Sequence, residues 1–263
     1  MSRAITSLAN PTVKAARALH MRKAREESGQ FLAEGLKIVT EAVELGHAPR
    51  MLLYSAEAIA HTLARQARAA TEAAGGEAIE VNRDILSKIS RRDNPQTVLA
   101  VFDQAFAPLG ALDPAAAPCW VALEAVRDPG NLGTIVRTAD AAGCGGVILV
   151  GDCCDPYSVE AVRATMGSVF AVKIARASVA EFLAWRAAWP GSVVGTLLTA
   201  TTDFRAAAYT PPSLILMGNE QAGLTPDLAA ACDVTVKIPM RGRADSLNLA
   251  VATGVMIYAA TGA

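Results

Sequence analysis

The fold of this chain is decided by residues 214–258, which read LILMGNEQAGLTPDLAAACDVTVKIPMRGRADSLNLAVATGVMIY. The pattern predicts an apolar strand at 214–217, a second strand at 234–238, and a polar loop after each strand. Four apolar residues then recur at helical spacing and predict a closing helix: Leu247, Val251, Val255 and Tyr258. Loops that leave the carboxyl ends of strands in an open α/β sheet hold its ligands, so both loops are candidate sites.

The polar residues of these two loops also have a purely structural explanation. Gly218 and Gly223 could serve only as turn residues, while Ser246 or Asn248 could cap the helix and nothing more. One such loop would not decide between the two explanations. Two loops at neighbouring strand ends favour a binding site.

Three motifs in the chain resemble those of the SpoU/TrmH RNA ribose methyltransferases, a family of the SPOUT superfamily. The first motif is Asp128-Pro129-Gly130-Asn131-Leu132-Gly133, followed by Arg137-Thr138-Ala139-Asp140. The second is Gly218-Asn219-Glu220-Gln221-Ala222-Gly223-Leu224, and the third is Ile238-Pro239-Met240 with Ser246-Leu247-Asn248. All three occur in the order of the family, which makes the resemblance specific where any one motif alone would be weak.

The resemblance implies an enzyme that transfers a methyl group from S-adenosyl-L-methionine to a ribose 2′-hydroxyl of RNA. Its implied catalytic residues are Asn131, Arg137, Glu220, Ser246 and Asn248. Its implied cofactor-binding residues are Thr196, Leu198, Met217, Gly218, Asn219, Ile238, Met240, Ser246 and Leu247. The family also implies a homodimer in which the arginine of one protomer reaches toward the cofactor of the other.

The implied chemistry asks the protein to align hydroxyl and methyl, to remove a proton and to exclude water. Ile238 and Met240 flank a strand end and could form an apolar slot for adenine, with a place in the core as the structural alternative. Arg137 stays protonated in proteins, so phosphate binding or electrostatic activation of the hydroxyl is favoured over direct proton removal. Glu220 is expected to anchor Arg137 or Asn219 through charge-assisted hydrogen bonds.

Residues 1–104 alternate helices and strands, which predicts a small α/β/α sandwich. This part resembles, through Asn10-Pro11 and Phe31-Leu32-Ala33-Glu34-Gly35, the ribosomal-protein-like domain that binds RNA substrates in many SpoU enzymes. Its candidate RNA contacts are Arg25, Arg91, Arg92 and Asn94, each of which could equally be an ordinary surface residue.

Residues 105–118 are rich in proline and alanine without periodicity, which predicts an interdomain linker. Residues 119–263 are expected to form the methyltransferase domain. Its continuous apolar strands alternate with helices and indicate an α/β fold with a parallel sheet covered on both faces. The family resemblance adds a trefoil knot near the C-terminus, a topology that the pattern alone would not predict.

Composition bounds the class of protein. Hydrophobic residues make up 52% of the 263 residues, so the chain can bury a core, and a disordered chain is excluded. No apolar run reaches the length of a membrane helix and the N-terminus lacks the apolar segment of a secretory signal, so a cytoplasmic location is expected. The five cysteines form no CxxC pair and have no nearby histidine, so neither a metal site nor a disulfide framework is predicted.

The favoured substrate is large-subunit (23S) ribosomal RNA, because the N-terminal landmarks suit that branch of the family. The net charge of −1 gives no overall positive field for nucleic acid. A transfer-RNA 2′-O-methyltransferase is the first alternative, and a non-catalytic RNA-binding factor of ribosome assembly is the second. A dehydrogenase fits poorly, since Gly143-Cys144-Gly145-Gly146 precedes a strand and lacks the spacing of a dinucleotide-binding loop.

Overall fold

The computed structural model describes residues 3–262, which divide into two compact units. Unit 1 consists of the chain up to Gln104 together with Asp155–Phe170, and unit 2 consists of Ala105–Cys154 and the chain from Ala171 onward. The sequence does not predict that residues 155–170 return to unit 1, because they continue the alternation of helix and strand around them. The domain boundaries drawn from the sequence stay predictions.

The elements of the described chain follow in order. The strands are β1 (Arg3–Ile5), β2 (Gln30–Glu34), β3 (Met51–Tyr54), β4 (Glu77–Val81), β5 (Val98–Asp103), β6 (Phe106–Ala107), β7 (Cys119–Glu124), β8 (Gly146–Val150), β9 (Lys173–Ala177), β10 (Val193–Thr196), β11 (Thr202–Asp203), β12 (Ser213–Met217) and β13 (Val234–Lys237). The helices are α1 (Pro11–Ala18), α2 (Arg22–Ser28), α3 (Leu36–Glu44), α4 (Thr62–Ala73), α5 (Arg83–Ser90), α6 (Pro129–Ala141), α7 (Val159–Thr165), α8 (Val179–Arg186), α9 (Pro226–Ala230) and α10 (Leu249–Thr261). Within residues 3–262 no helix is long and apolar enough to cross a membrane.

Unit 1 is built on a five-stranded mixed sheet in the order β1-β4-β3-β5-β2. Strands β1, β4 and β3 run parallel, whereas β5 is antiparallel to both β3 and β2. Alternate residues of a strand point to opposite faces of the sheet, and one face packs its apolar residues against α1 and α5. Helices α3 and α4 pack together against the strands on the other face. The predicted α/β sandwich of the N-terminal part is confirmed.

Unit 2 contains an eight-stranded sheet in the order β11-β13-β10-β12-β7-β8-β9-β6, with parallel pairing throughout. Strands β7, β8 and β12 are buried along their whole length, as expected when helices cover both faces. Phe182 of α8 packs with Trp120 and Ile148 on one face. Helices α6 and α10 pack on each other and against the strands on the other face. The predicted parallel sheet is confirmed, while the knot stays a prediction.

The segment at 105–118 is more structured than the predicted linker. Phe106 and Ala107 form β6, which pairs with β9 and adds an edge strand to the sheet. Leu112 is buried in the core of unit 2, and the carbonyl of Pro114 accepts a hydrogen bond of 3.1 Å from Trp120 Nε1. A two-residue strand and short 3-10 turns leave no repeat in the sequence, so periodicity does not reveal them.

Helix α10 is present, but the apolar stripe that predicted it is not its buried face. The buried residues are Leu249, Ala250, Thr253, Met256, Ile257 and Ala260. Leu247, just before the helix, and Val251 and Tyr258 within it expose 39%, 53% and 43% of their surface, and we call these three residues the α10 stripe. Because the helix is apolar nearly all round, periodicity identifies the helix without identifying the side that packs on the sheet.

Candidate active site

A cavity of about 560 Å³ opens at the carboxyl ends of β10, β12 and β13, beside the start of α10. This is the edge at which an open parallel sheet places its ligands. Its walls include all the predicted cofactor-binding residues: Thr196, Leu198, Met217, Gly218, Asn219, Ile238, Met240, Ser246 and Leu247. Three predicted catalytic residues, Glu220, Ser246 and Asn248, line the same cavity. The structure thus brings the second and third motifs together around this first cavity.

The loop at 218–223 folds back on itself directly after β12. Asn219 and Gly223 exchange two backbone hydrogen bonds of 3.0 and 2.9 Å. Gly223 has a φ of +70°, a conformation that favours glycine. A Cβ atom at Gly218 would overlap the backbone of Gly223. Gly218 is therefore required by the close approach of the chain to itself.

The side chain of Asn219 shapes this loop and ties it to a second one. Its Oδ1 accepts the backbone N–H of Gln221 at 2.9 Å, which closes a local turn. Its Nδ2 donates to the carbonyl of Ala125 at 2.8 Å, in the loop that follows β7. Ala125 has a φ of +47°, which is uncommon for a residue other than glycine. Asn219 thus links the loops of two adjacent strands.

Asn131 connects the three motifs through its side chain. Its Oδ1 accepts a hydrogen bond of 2.9 Å from Asn248 Nδ2, and its Nδ2 donates to Glu220 Oε1 at 3.4 Å. Residues 117 and 89 positions apart in the chain therefore form one hydrogen-bonded group. Glu220 Oε2 also lies 3.5 Å from Asn219 Nδ2. Glu220 thus contacts Asn219, one of the two partners expected for it, and not Arg137.

The first cavity fits S-adenosylmethionine in size and chemistry. Small-ligand cavities usually measure about 300 to 1,000 Å³. Ile238 and Met240 are half-buried at its wall and Leu198 is 72% exposed, so apolar surface is available to a ring. Glu220 brings a carboxylate and Lys237 an ammonium group to the walls, which suits a ligand that carries both positive and negative groups. No group of three or more His, Cys, Asp or Glu residues that could hold a metal ion occurs within residues 3–262.

A second cavity, of about 660 Å³, lies beside the first and shares the loop at 219–223 as a wall. Asn131 and Asn248 also line it. Sequence reasoning did not select four other residues of its wall: Glu124, Ala125, Arg127 and Thr225. Their position in the sequence could have identified them as site residues. Residues 124–127 lie at the carboxyl end of β7, next to β12, and the loops of adjacent parallel strands meet at one edge of the sheet.

Arg137 and Ser246 take different positions relative to these cavities. Ser246 lines the first cavity, and its hydroxyl donates to Asp245 Oδ1 at 3.1 Å. Arg137 lies on α6 with an exposed side chain and lines neither cavity. In the part of the chain that the structure describes, no hydrogen bond or ion pair to Arg137 is found. A single protomer therefore gathers four of the five predicted catalytic residues and leaves Arg137 apart.

Arg25 is not accessible to RNA, contrary to the prediction. The residue is 3% exposed, and its Nε donates to Asp155 Oδ2 at 2.7 Å while its Nη1 donates to the carbonyl of Leu19 at 2.7 Å. A guanidinium inside a protein needs such partners, because an unpaired buried charge is strongly unfavourable. Arg25 therefore supports the fold of unit 1.

The other three candidate RNA contacts are exposed near the end of α5. Arg91 ends the helix with a φ of 57°. Arg92 Nε lies 3.9 Å from Glu34 Oε2, and burial raises the pKa of the Glu34 carboxyl. Asn94 accepts a hydrogen bond of 3.0 Å from Arg83. These side chains are accessible to a large ligand.

Comparisons with known proteins agree with this geometry. Residues 118–258 match the SpoU rRNA Methylase family, and residues 10–100 match the MRM3-like substrate binding domain. The 23S rRNA (uridine(2479)-2'-O)-methyltransferase of Streptomyces viridochromogenes is 34% identical over 91% of this chain and 85% of its own. The 23S rRNA (guanosine(2553)-2'-O)-methyltransferase RlmP of Bacillus subtilis is 30% identical over 97% of each chain.

Solved structures show the same fold. The AdoMet-bound rRNA methyltransferase from Sinorhizobium meliloti superposes with a TM-score of 0.92 at 50% identity, covering 98% of this chain and 97% of that one. The fold, the cavity at the strand ends and these matches define an RNA methyltransferase that uses S-adenosylmethionine. The chain belongs to the SpoU rRNA methylase family, and the resemblance inferred from the three motifs is confirmed.

Proposed function

We propose that this protein methylates a ribose 2′-hydroxyl of large-subunit ribosomal RNA, with S-adenosylmethionine as the methyl donor. The observation that carries the proposal is the hydrogen-bonded group of Asn131, Glu220 and Asn248, which joins the three motifs at the border of the two cavities. The first cavity has the size and the groups for the donor. The second lies across the loop at 219–223 and has room for the acceptor nucleotide.

The residues of the site account for the steps that the protein must perform. S-adenosylmethionine supplies a methyl group on a sulfonium, so the departing sulfur needs no proton. Asn131 and Asn248 are fixed by their mutual hydrogen bond, so they can orient the sugar with little further loss of entropy. Ser246 lines the first cavity together with Asn248, so it can contact the sugar of a nucleotide held at the border of the two cavities. The positive charge of Arg137 stabilises the developing alkoxide, which favours loss of the hydroxyl proton.

A homodimer completes this site. Arg137 lines neither cavity of its own protomer, so in the proposed homodimer it is the second copy that brings a guanidinium to the acceptor hydroxyl. The α10 stripe supplies the surface for that second copy, because its large apolar side chains lie exposed on one side of the helix. Helix α6, which carries Arg137, packs beside α10. Pairing through the stripe therefore brings the arginines near the interface.

Ribosomal RNA is favoured over transfer RNA as the substrate. The relatives of Streptomyces viridochromogenes and Bacillus subtilis that match most of this chain are both named as 23S rRNA 2′-O-methyltransferases. The match of residues 10–100 to a substrate binding domain supports unit 1 as an RNA-binding part, with Arg91, Arg92 and Asn94 as accessible contacts. The cytoplasm is the proposed place of action. A transfer-RNA enzyme is the alternative. An assembly factor without catalysis is disfavoured, because Asn131, Arg137, Glu220, Ser246 and Asn248 are all present.

Two measurements test the proposal. Calorimetric titration should detect S-adenosylmethionine binding, and no binding at a ligand concentration of about 1 mM, a free energy weaker than about −4 kcal/mol, would leave the enzyme without a donor site. Ribose methylation should then be mapped across total RNA from cells with and without this protein. A missing methyl group in 23S rRNA supports the proposal, whereas one in transfer RNA selects the alternative.

Arg137→Ala tests the assigned chemistry. We expect turnover to fall by roughly two to three orders of magnitude, the scale for removal of one positioned electrostatic group. The dissociation constant for S-adenosylmethionine should stay close to that of the wild type, because Arg137 does not line the first cavity of its own protomer. Full activity of the variant would refute the role of Arg137 and leave the rest of the site intact.

A further inference from the structure

The charged residues that line the second cavity are acidic, and therefore unfavourable for RNA, except for Arg127. Glu124, Asp128 and Glu220 bring three carboxylates to its walls, and these groups repel a phosphodiester. Arg127 brings a guanidinium. Among the described residues that line this cavity it is the only arginine or lysine. A nucleotide that enters the cavity therefore finds local attraction for its phosphate at Arg127.

Hydrogen bonds hold each of the three carboxylates at this edge of the sheet. Glu124 is buried and accepts the backbone N–H of Thr225 at 2.8 Å. Asp128 caps α6 and accepts the backbone N–H of Asn131 at 2.6 Å. Glu220 accepts a hydrogen bond from the side chain of Asn131. The acidic character of the cavity follows from the architecture, and the balance of charge depends on Arg127.

Arg127 forms an ion pair that is exposed to solvent, so its side chain can exchange one partner for another. Its Nη1 lies 2.7 Å from Asp152 Oδ2, and the two side chains are 61% and 70% exposed. An ion pair so accessible to water contributes little to stability, because solvent screens both charges. A phosphate group can therefore replace Asp152 as the partner of Arg127 without leaving a buried charge unpaired.

The loop that carries Arg127 does not need the ion pair to keep its path. The backbone N–H of Ala125 donates to the carbonyl of Val150 at 3.0 Å, and the carbonyl of Val126 accepts the N–H of Cys154 at 2.8 Å. Val126 is fully buried, and Asn219 holds the carbonyl of Ala125 from the other side. With the backbone held at these points, the long side chain of Arg127 can move while the cavity keeps its shape.

We infer that Arg127 exchanges Asp152 for a phosphate of the RNA strand when the acceptor nucleotide enters the second cavity. Arg127 is thus a positioning residue for the substrate, and the inference rests on the proposed RNA methylation. The planar guanidinium can bind two phosphate oxygens at once, which fixes the orientation of the strand as well as its position. Asp152 holds the side chain near this position until RNA arrives.

Three variants of the full chain test the exchange: Arg127→Gln, Arg127→Lys and Asp152→Asn. The substrate is deproteinised 23S rRNA from cells that lack this protein, with labelled S-adenosylmethionine as the donor. Arg127→Gln should raise the KM for RNA by about tenfold, the scale of one charge-assisted hydrogen bond, with a smaller change in kcat. Arg127→Lys should give an intermediate KM. Asp152→Asn should keep or lower the KM, because it removes the competing partner.

Binding of the same RNA at several salt concentrations gives a second measurement that does not depend on turnover. In Arg127→Gln, the slope of log K against log salt should become shallower by about 0.7, the value for one lost phosphate contact to single-stranded RNA. Asp152→Asn should keep the slope of the wild type. The dissociation constant for S-adenosylmethionine should be the same in all three variants and the wild type.

Several results would overturn the inference. Equal losses in Arg127→Gln and Asp152→Asn would mean that the ion pair holds the loop. An unchanged KM and salt slope in Arg127→Gln would mean that no phosphate binds there, and weaker binding of S-adenosylmethionine would assign the guanidinium to the cofactor. A wild-type protein that methylates no RNA would count against the proposed function instead, while the salt slopes would still decide the role of Arg127.

Discussion

Gly218 and Gly242 both lie in motif loops of the site, yet the structure makes different demands on them. A Cβ atom at Gly218 would overlap the backbone of Gly223, and that backbone is itself fixed by two hydrogen bonds to Asn219. A Cβ atom at Gly242 would meet no atom within 4 Å. Only Gly218 is therefore required by space, and the wall of the first cavity depends on it.

We expect Gly218→Ala to weaken S-adenosylmethionine binding by about tenfold or more. The forced displacement against backbone corresponds to about 1–3 kcal/mol, and it falls on the loop that forms the cavity wall. Calorimetric titration measures the effect, with Gly242→Ala as the matched control that should bind like the wild type. Equal binding by the two variants would show that the loop at 218–223 can relax without affecting the cofactor.

For single residues, the sequence predicts which of them line the same cavity, but not which arginines are exposed to solvent. The second and third motifs identified most of the walls of the first cavity, because glycines and polar side chains after apolar strands mark strand-end loops. Arg25 was a candidate RNA contact of the N-terminal part, yet it is buried against Asp155, 130 positions away. Arg127 was not selected, although it is exposed at a cavity. Burial depends on partners distant in the chain, which residue type and spacing do not reveal.

The segment at 155–170 is held in unit 1 by an ion pair with α2. Asp155 is 7% exposed, binds Arg25 through one oxygen, and accepts the backbone N–H of Tyr157 at 2.9 Å through the other. Arg22 and Glu26, on the same helix, form a pair of 2.8 Å in which the side chains are 54% and 53% exposed. The two ion pairs have similar distances, but one is buried and the other is exposed, so burial decides how much each contributes to stability.

Asp155→Ala should lower the free energy of unfolding of the protein by about 3–5 kcal/mol, because it leaves the guanidinium of Arg25 buried without its partner. Glu26→Ala, the exposed counterpart, should change it by less than about 1 kcal/mol. Urea denaturation followed by circular dichroism measures both values. Similar small losses in the two variants would indicate that water reaches Arg25 and that the segment is held mainly by its apolar contacts.

The sequence predicted the bounds of strands of ordinary length. It did not predict a two-residue strand, and for a uniformly apolar helix it did not predict which side is buried. Strands β12 and β13 came out within a residue of their predicted bounds, because β12 is a mostly apolar run, β13 alternates apolar and polar residues, and each is followed by a loop. Strand β6 has two residues and leaves no periodic pattern. Helix α10 was predicted from the spacing of Leu247, Val251, Val255 and Tyr258, but the helix is apolar nearly all round and the exposed α10 stripe is not the side that packs on the sheet.

For the whole molecule, helix α6 is the element on which the proposed homodimer depends. Asn131 and Arg137 are six residues apart, so their side chains diverge by about 120° around the helix axis. Asn131 lines the second cavity of its own protomer, whereas Arg137 lines neither cavity and has an exposed side chain. In the proposed homodimer each α6 helix therefore serves two sites, its own through Asn131 and that of the second copy through Arg137.

Mixed dimers test this arrangement directly. At an S-adenosylmethionine concentration near the wild-type dissociation constant, Arg137→Ala and Gly218→Ala should each have low activity alone, the first without the guanidinium and the second with its cofactor cavity largely unfilled. If Arg137 acts on the other protomer, a mixed dimer has one complete site, formed by the intact cavity of the first variant and the intact arginine of the second. An equimolar mixture of freely exchanging subunits should then recover about a quarter of the wild-type activity, since half the dimers are mixed and each has one complete site of two.

Sedimentation of the mixture must show dimers for the assay to apply, and a monomeric wild type with full activity would refute the proposed homodimer. An inactive dimeric mixture would place Arg137 at the site of its own chain, because every site in a mixed dimer would then carry one of the two defects.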